Sequence, residues 1–242
     1  LSWSDVSDDD ISYFVVECKQ SDGVWKSVSR TSTNLGVNLS GLTPEHDYVY
    51  RVIGYDKRSN RGTPSEEITV TTLKDTICPK VTKITPDPGY FKSEINLRFT
   101  AEDDYRVKSI EIQTSTDKES WKTVSEIKAT GESAKCTFDC KLDLKNYEEG
   151  SVFVRAKVYD SYGNVTEDKD LTCYEYVVDR TAPVQPTGVT ASSGETEGGS
   201  SFVNISWNAI TDDNSFAYYR VYKSNSADGE FTLLKNNVKT VN

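Results

Sequence analysis

Histidine is nearly missing from this chain: His46 is the only one. That excludes histidine-based triads, multi-histidine metal centres and imidazole proton relays. Methionine is missing altogether, position 1 included, so the chain is expected to be a piece of something longer. No apolar run approaches the roughly 18 residues that a membrane-spanning helix needs. No leader segment is visible, so secretion has to be inferred rather than read. There is no basic block. Lys and Arg number 28 against 38 Asp and Glu, for a net charge of −10, which makes nucleic acid or an anionic membrane surface a poor partner. Phosphate-cradling glycine loops, H-E-x-x-H and G-x-S-x-G are absent, as is any helical periodicity.

What is present is a repeat. The 242 residues, 36% hydrophobic and 27% charged, allow several small cores rather than one large one. One template occurs three times. Leu1-Ser2-Trp3 runs into Asp8-Asp9-Asp10, an apolar strand from Ile11, and Ser21 to Trp25. Leu97-Arg98-Phe99 leads to Asp103-Asp104, Val107 to Ile112, and Trp121. Ile205-Ser206-Trp207 leads to Asp212-Asp213-Asn214, Phe216 to Tyr222, and Phe231. Trp3 and Trp25 stand 22 positions apart, as do Phe99 and Trp121; Trp207 and Phe231 stand 24 apart.

The segments between turn signals are short and rich in Val, Ile, Tyr, Phe and Thr. Several alternate, as in Ile95, Leu97, Phe99 and in Val203, Ile205, Trp207. Alternation with a turn every 8–12 residues predicts an all-β chain of tandem antiparallel β-sandwiches. Asp75 to Pro79 and Asp179 to Pro183 each place Pro four residues after Asp. These Pro-marked hinges, at Pro79 and Pro183, divide the chain into 1–74, 75–181 and 182–242. They are short, which predicts a rod-like arrangement.

At residue level the first unit resembles the fibronectin type III fold. Trp3 stands where that family keeps its strand-B tryptophan. Leu42-Thr43-Pro44-Glu45-His46-Asp47-Tyr48 looks like its tyrosine corner, with Tyr48 to Tyr55 as strand F and Ile68 to Thr72 as strand G. The resemblance implies that the Tyr48 hydroxyl ties back to the chain a few residues upstream. The third unit resembles the family less completely. The middle unit departs from it: aligning Arg51 with Arg155 and Tyr55 with Tyr159 puts Val152 at the corner. Its Val158 to Asn164 looks like the strand-F end of bacterial immunoglobulin-like repeats. Unit 1 starts without strand A and unit 3 stops without strands E, F and G, so the natural protein is expected to continue past both ends. The family role is non-catalytic, and that inference is by analogy.

No catalytic or cofactor-binding residue is expected. His46 lies in a turn with no nucleophile beside it, and no carboxylate pair is placed in a cleft by any pattern. The topology brings the hinge residue Asp75 near Asp103, Asp104 and Asp160, with Asp179, Asp212 and Asp213 as the counterpart in unit 3. Acid clusters of this kind suit Ca²⁺, although Asp also favours turns without any metal. Trp3, Tyr48, Phe99, Trp121 and Trp207 are read as core. Trp25, Trp121 and Phe231 share a slot on an edge strand. Tyr105 and Tyr162 fall on the loops of unit 2 where a sugar could stack. Asp56 to Gly62 forms a basic loop that could meet an acidic partner. Cys18 stands alone, and Cys78, Cys136, Cys140 and Cys173 could be buried thiols or form one or two disulfides. Sequons occur at Asn38, Asn164 and Asn204.

These features together predict a non-catalytic spacer or scaffold in a large extracellular or cell-surface protein, expected to be bacterial. Its partners would be neighbouring domains of the same longer chain. The alternatives are an accessory region of a secreted carbohydrate-active enzyme and an adhesin module that binds a glycan or protein directly.

Overall fold

The computed structural model describes residues 1–4, 9–32, 34–211 and 213–241. Asp8 and Asp212, both named above, lie outside them. Every regular element among the described residues is a strand, apart from one 3₁₀ turn at Asp168–Asp170. No helix there is long and apolar enough to cross a membrane.

The first unit is a four-stranded antiparallel sheet. Its strands are β1 (Ile11–Lys19), β2 (Trp25–Thr31), β3 (Asp47–Asp56) and β4 (Ile68–Thr71), in the order β2-β1-β3-β4. Leu1 to Trp3 forms the opposing layer with residues 35–37, through Trp3 N–H to Leu35 O (2.9 Å) and Val37 N–H to Leu1 O (2.8 Å). Val16, Cys18 and Tyr50 are buried between the layers, against Trp3, Val37, Leu39, Tyr48 and Val52. Alternation along β3 thus puts Tyr48, Tyr50 and Val52 on the inner face, as the period of two requires.

The second unit holds the main core. Its strands are β5 (Lys80–Thr85), β6 (Tyr90–Phe91), β7 (Glu94–Ser115), β8 (Lys122–Asp143), β9 (Gly150–Asp160) and β10 (Tyr174–Val178). The sequence predicts a loop at Asp103-Asp104 between two strands. Instead, β7 runs continuously for 22 residues, with a register shift between Glu102 and Val107. Its first half pairs with β5 and the last half of β8; its second half pairs with β9 and the first half of β8. The physical reason is local. Asp103 Oδ2 accepts the N–H groups of Tyr105 (3.3 Å) and Arg106 (3.0 Å), so the bend closes on itself and the ladder resumes at once. Two long strands therefore pass from one layer of the sandwich to the other. Ile95, Leu97, Phe99 and Ala101 point inward from the first half, Ile110 and Ile112 from the second, onto Val152, Val154, Val158 and Tyr176. β10 closes the edge by parallel pairing with β6.

The third unit is two hairpins, β11 (Thr190–Glu195) with β12 (Ser201–Ser206) and β13 (Tyr219–Lys223) with β14 (Thr232–Val238). Trp207 is half-buried, edge-on to Tyr219 at 5.0 Å between ring centres. Val203, Leu233 and Leu234 are more than half exposed.

Burial sets an alkaline limit on the second unit. The Tyr176 hydroxyl donates to Pro86 O (2.9 Å) on a fully buried ring, and burial pushes its pKa up to about 12. The fold therefore holds the neutral phenol. Its contribution is whole below the unfolded pKa near 10 and is lost as pH climbs towards 12. We expect roughly 2–3 kcal/mol to disappear over that window. Tyr176→Phe should flatten the fall, read as the difference between wild-type and variant thermal melts. Identical slopes would contradict the assignment.

Candidate functional site

The site is the junction between the first two units, and it starts at Tyr48. The Thr43 N–H donates to the Tyr48 hydroxyl oxygen at 2.9 Å, which is the tie the resemblance implies. The chain leaving β4 then locks onto the same loop. Thr72 Oγ1 donates to Thr43 O (2.6 Å), Thr72 N–H to His46 O (3.0 Å), and Glu45 N–H to Leu73 O (3.2 Å). Glu45 takes a left-handed conformation, φ 49°. This loop becomes a fixed shelf at the end of unit 1.

Unit 2 docks on that shelf through the two tyrosines. Tyr105 OH donates to Thr43 Oγ1 at 3.0 Å, and Tyr162 OH reaches Pro44 O at 3.5 Å. Their rings lie 5.5 Å apart, tilted by 56°, and the Arg106 guanidinium sits 4.7 Å over Tyr105. Both were candidates for stacking a sugar. The hydroxyls of both are turned to unit 1.

The hinge is held from the other side by the loop after β9. Asp160 Oδ1 accepts the N–H groups of Tyr162 (2.8 Å) and Asn164 (2.7 Å), and Oδ2 accepts Asn164 Nδ2 (2.6 Å). The same Asn164 amide donates to Asp75 O at 3.2 Å. The loop after β3 repeats this geometry. Asp56 Oδ1 accepts Arg58 N–H and Asn60 N–H, both at 2.8 Å, and Oδ2 accepts Asn60 Nδ2 at 2.6 Å. Ser59 and Gly163 occupy the same left-handed position, φ 64° and 92°. Sequence reading missed this equivalence, although the alignment of Tyr55 with Tyr159 carries Asp56 onto Asp160 and Asn60 onto Asn164. Asn164 is therefore a positioning side chain with its amide engaged twice, unlike the exposed sequons at Asn38 and Asn204.

Asp75, Asp103 and Asp104 converge: one carboxylate oxygen of each lies within 4.8 Å of the others. Asp75 is 6% exposed. Its Oδ1 accepts Ile77 N–H (3.0 Å), and its Oδ2 has no partner; Asp103 Oδ1 is likewise buried without one. Burial pushes both carboxyls above the usual range, and neighbouring acids add to it, Asp104 and Asp160 on Asp75, Asp104 and Asp75 on Asp103. Asp160 stands apart from this group because its own loop occupies both its oxygens. The second hinge differs. Asp179 Oδ1 accepts Thr181 N–H (3.1 Å), and Asp213 Oδ1 accepts Ser215 N–H (2.8 Å) and Ser215 Oγ (2.6 Å).

The remaining candidates disperse. Phe99 is fully buried in the core, and Trp3 packs edge-on to Phe14 at 5.5 Å. Trp121 is a correction: it lies outside the core, on the outer face of the sheet, with the Arg155 guanidinium 3.9 Å over its ring. Its Nε1 donates to Lys118 O (3.0 Å). Trp25 is covered in the same way by Arg51 at 4.0 Å. Both indoles are only partly buried, and each carries an arginine over its ring rather than packing into the hydrophobic core. His46 is exposed against the edge of Tyr48. All five cysteines are free thiols, and burial pushes Cys18, Cys136, Cys140 and Cys173 up, away from nucleophilic thiolate. A cleft of about 780 Å³ opens beside β8, with Tyr147 as its one aromatic ring, and that hydroxyl bonds Thr114 (2.8 Å).

Comparison with known proteins identifies one unit. Residues 1–71 match the fibronectin type III domain family. The match ends on the last residue of β4 and takes in the loop that forms the shelf. Among solved structures, chicken CNTN1 FN1-FN3 domains are 16% identical at a TM-score of 0.41, covering 98% of this chain and 83% of that one. Fibronectin(III)-like modules of Clostridium thermocellum CbhA are also 16% identical, at a TM-score of 0.31, covering 72% and 82%. No curated protein matches the chain.

The junction predicts a coupled pair. Tyr105→Phe removes one hydrogen bond, and Tyr162→Ala removes the ring beside it. Their combined loss should weaken the coupling by about 1–3 kcal/mol. Proteolysis within residues 73–79 should accelerate in the double variant while each unit keeps its own fold. Unchanged cleavage would mean that the tyrosines do not hold the hinge.

Proposed function

We propose that this chain is a non-catalytic spacer, holding neighbouring domains of a large extracellular or cell-surface protein at a set distance and angle. One observation carries the reading. The loops on which a sugar could stack, those of Tyr105 and Tyr162, direct their tyrosine hydroxyls onto the tyrosine-corner shelf of the preceding unit. A freely tethered module has no use for such contacts, whereas a spacer that must keep its direction needs them. Each sandwich adds reach of about 30 Å.

The chemistry of the side chains supports the same reading. The single histidine is exposed in a turn, burial raises the Cys18, Cys136, Cys140 and Cys173 thiols, and Trp25 and Trp121 each carry an arginine over the ring.

Small-angle scattering of the metal-free chain tests this. The expected outcome is an extended particle whose first two units keep one relative orientation from low to high salt. An ensemble of freely reorienting units would refute the spacer. So would saturable binding of an oligosaccharide that Tyr105→Ala abolishes, which would favour the adhesin reading instead.

A further inference from the structure

We propose that Asp75, Asp103 and Asp104 form a binding site for a divalent cation with oxygen preference, Ca²⁺, which clamps the first hinge onto β7. The observation behind it is a pair of orphaned oxygens. Asp75 Oδ2 and Asp103 Oδ1 are both buried without a hydrogen-bond partner, and Asp75 is more than nine-tenths buried. A buried, unpaired carboxylate oxygen is costly. One carboxylate oxygen from each of Asp75, Asp103 and Asp104 lies within 4.8 Å of the others, which adds like-charge repulsion. The charges that bear most on Asp75 are the acids Asp104 and Asp160.

The other oxygens of the two buried acids are already assigned. Asp75 Oδ1 is held by Ile77 N–H, and Asp103 Oδ2 by Tyr105 and Arg106 N–H. These bonds fix each carboxylate through one oxygen and leave the other without a protein partner, and outer-shell bonds of this kind support metal ligands. The donors are all oxygen, with neither imidazole nor thiolate, which selects a hard cation. Asp104 is exposed at the rim, giving an entry path and room for water to complete six to eight ligands. The ion joins a hinge residue to a strand of unit 2, next to Tyr105, which itself reaches Thr43. The spacer reading bears only on the consequence, a stiffer hinge; the site stands on its own oxygens.

The test uses the full chain, stripped with chelator, and titrated with Ca²⁺ by calorimetry and thermal melting. We expect binding in the range of extracellular modules, about 0.1–1 mM or tighter, with a rise in melting temperature and a weaker response to Mg²⁺. Asp103→Asn and Asp75→Asn should each weaken binding at least tenfold. Without metal, both variants should melt no lower than wild type, because the substitution removes repulsion. That sign distinguishes a metal site from mere loss of structure. Asp139→Asn, on the far half of β8 in an exposed pair with Arg98, should bind as wild type. No heat and no melting shift at millimolar Ca²⁺, or wild-type binding by Asp75→Asn/Asp103→Asn, overturns the site. Neither result touches the spacer reading, which the metal-free scattering decides.

Discussion

The bond from Thr43 N–H to the Tyr48 hydroxyl is the constraint on which the junction rests. It is one neutral hydrogen bond, worth about 1 kcal/mol by itself. Its consequence is geometric. It fixes the loop from Leu42 to Tyr48, and the departing chain at Thr72 and Leu73 then fastens to that loop. Tyr105 finds a hydroxyl at a fixed place only because of this. A contact that ties a strand to its own loop in one unit thereby becomes the docking surface for the next.

The acidic character of the chain is handled residue by residue. Asp56, Asp160 and Asp213 cap their own loops with backbone N–H groups, so each charge is neutralised locally by aligned dipoles. Asp117 does the same in the turn after β7, where the Ser120 N–H leads several bonds that hold its carboxyl well below the usual range. Asp75 and Asp103 use only half of this device. Each offers one oxygen to the backbone and leaves the other buried against a like charge. Among the acids considered, that contrast singles out the hinge.

The two junctions of the chain are consequently unlike. The first combines a shelf, two tyrosines and an asparagine that reaches the hinge carbonyl. The second has Asp179 and Asp213 already engaged with their own neighbours. A common Asp-to-Pro spacing marks both hinges in the sequence, yet only the first gathers three carboxylates among the described residues. Asp103 sits at the bend of β7, inside a continuous strand, whereas Asp213 accepts the Ser215 N–H and hydroxyl in its own loop.

Strand periodicity, the repeated template and the tyrosine corner were legible in the amino-acid order, because each depends on neighbours a few positions apart. The proximity of Asp75 to Asp103 and Asp104 was also legible, since it follows from strand direction alone. Trp121 was misread as core because an aromatic residue recurring in each copy looks the same whether it faces inward or lies under an arginine. The choice depends on Arg155, which is distant in sequence and adjacent in the sheet. The continuity of β7 hinged on one carboxylate closing the bend, and the direction of the Tyr105 and Tyr162 hydroxyls on the orientation of a separate unit. Local order thus determined the strands and the repeat of this protein. Only the tertiary structure decided which loops touch, because contacts between units depend on docking angles that no short-range pattern encodes.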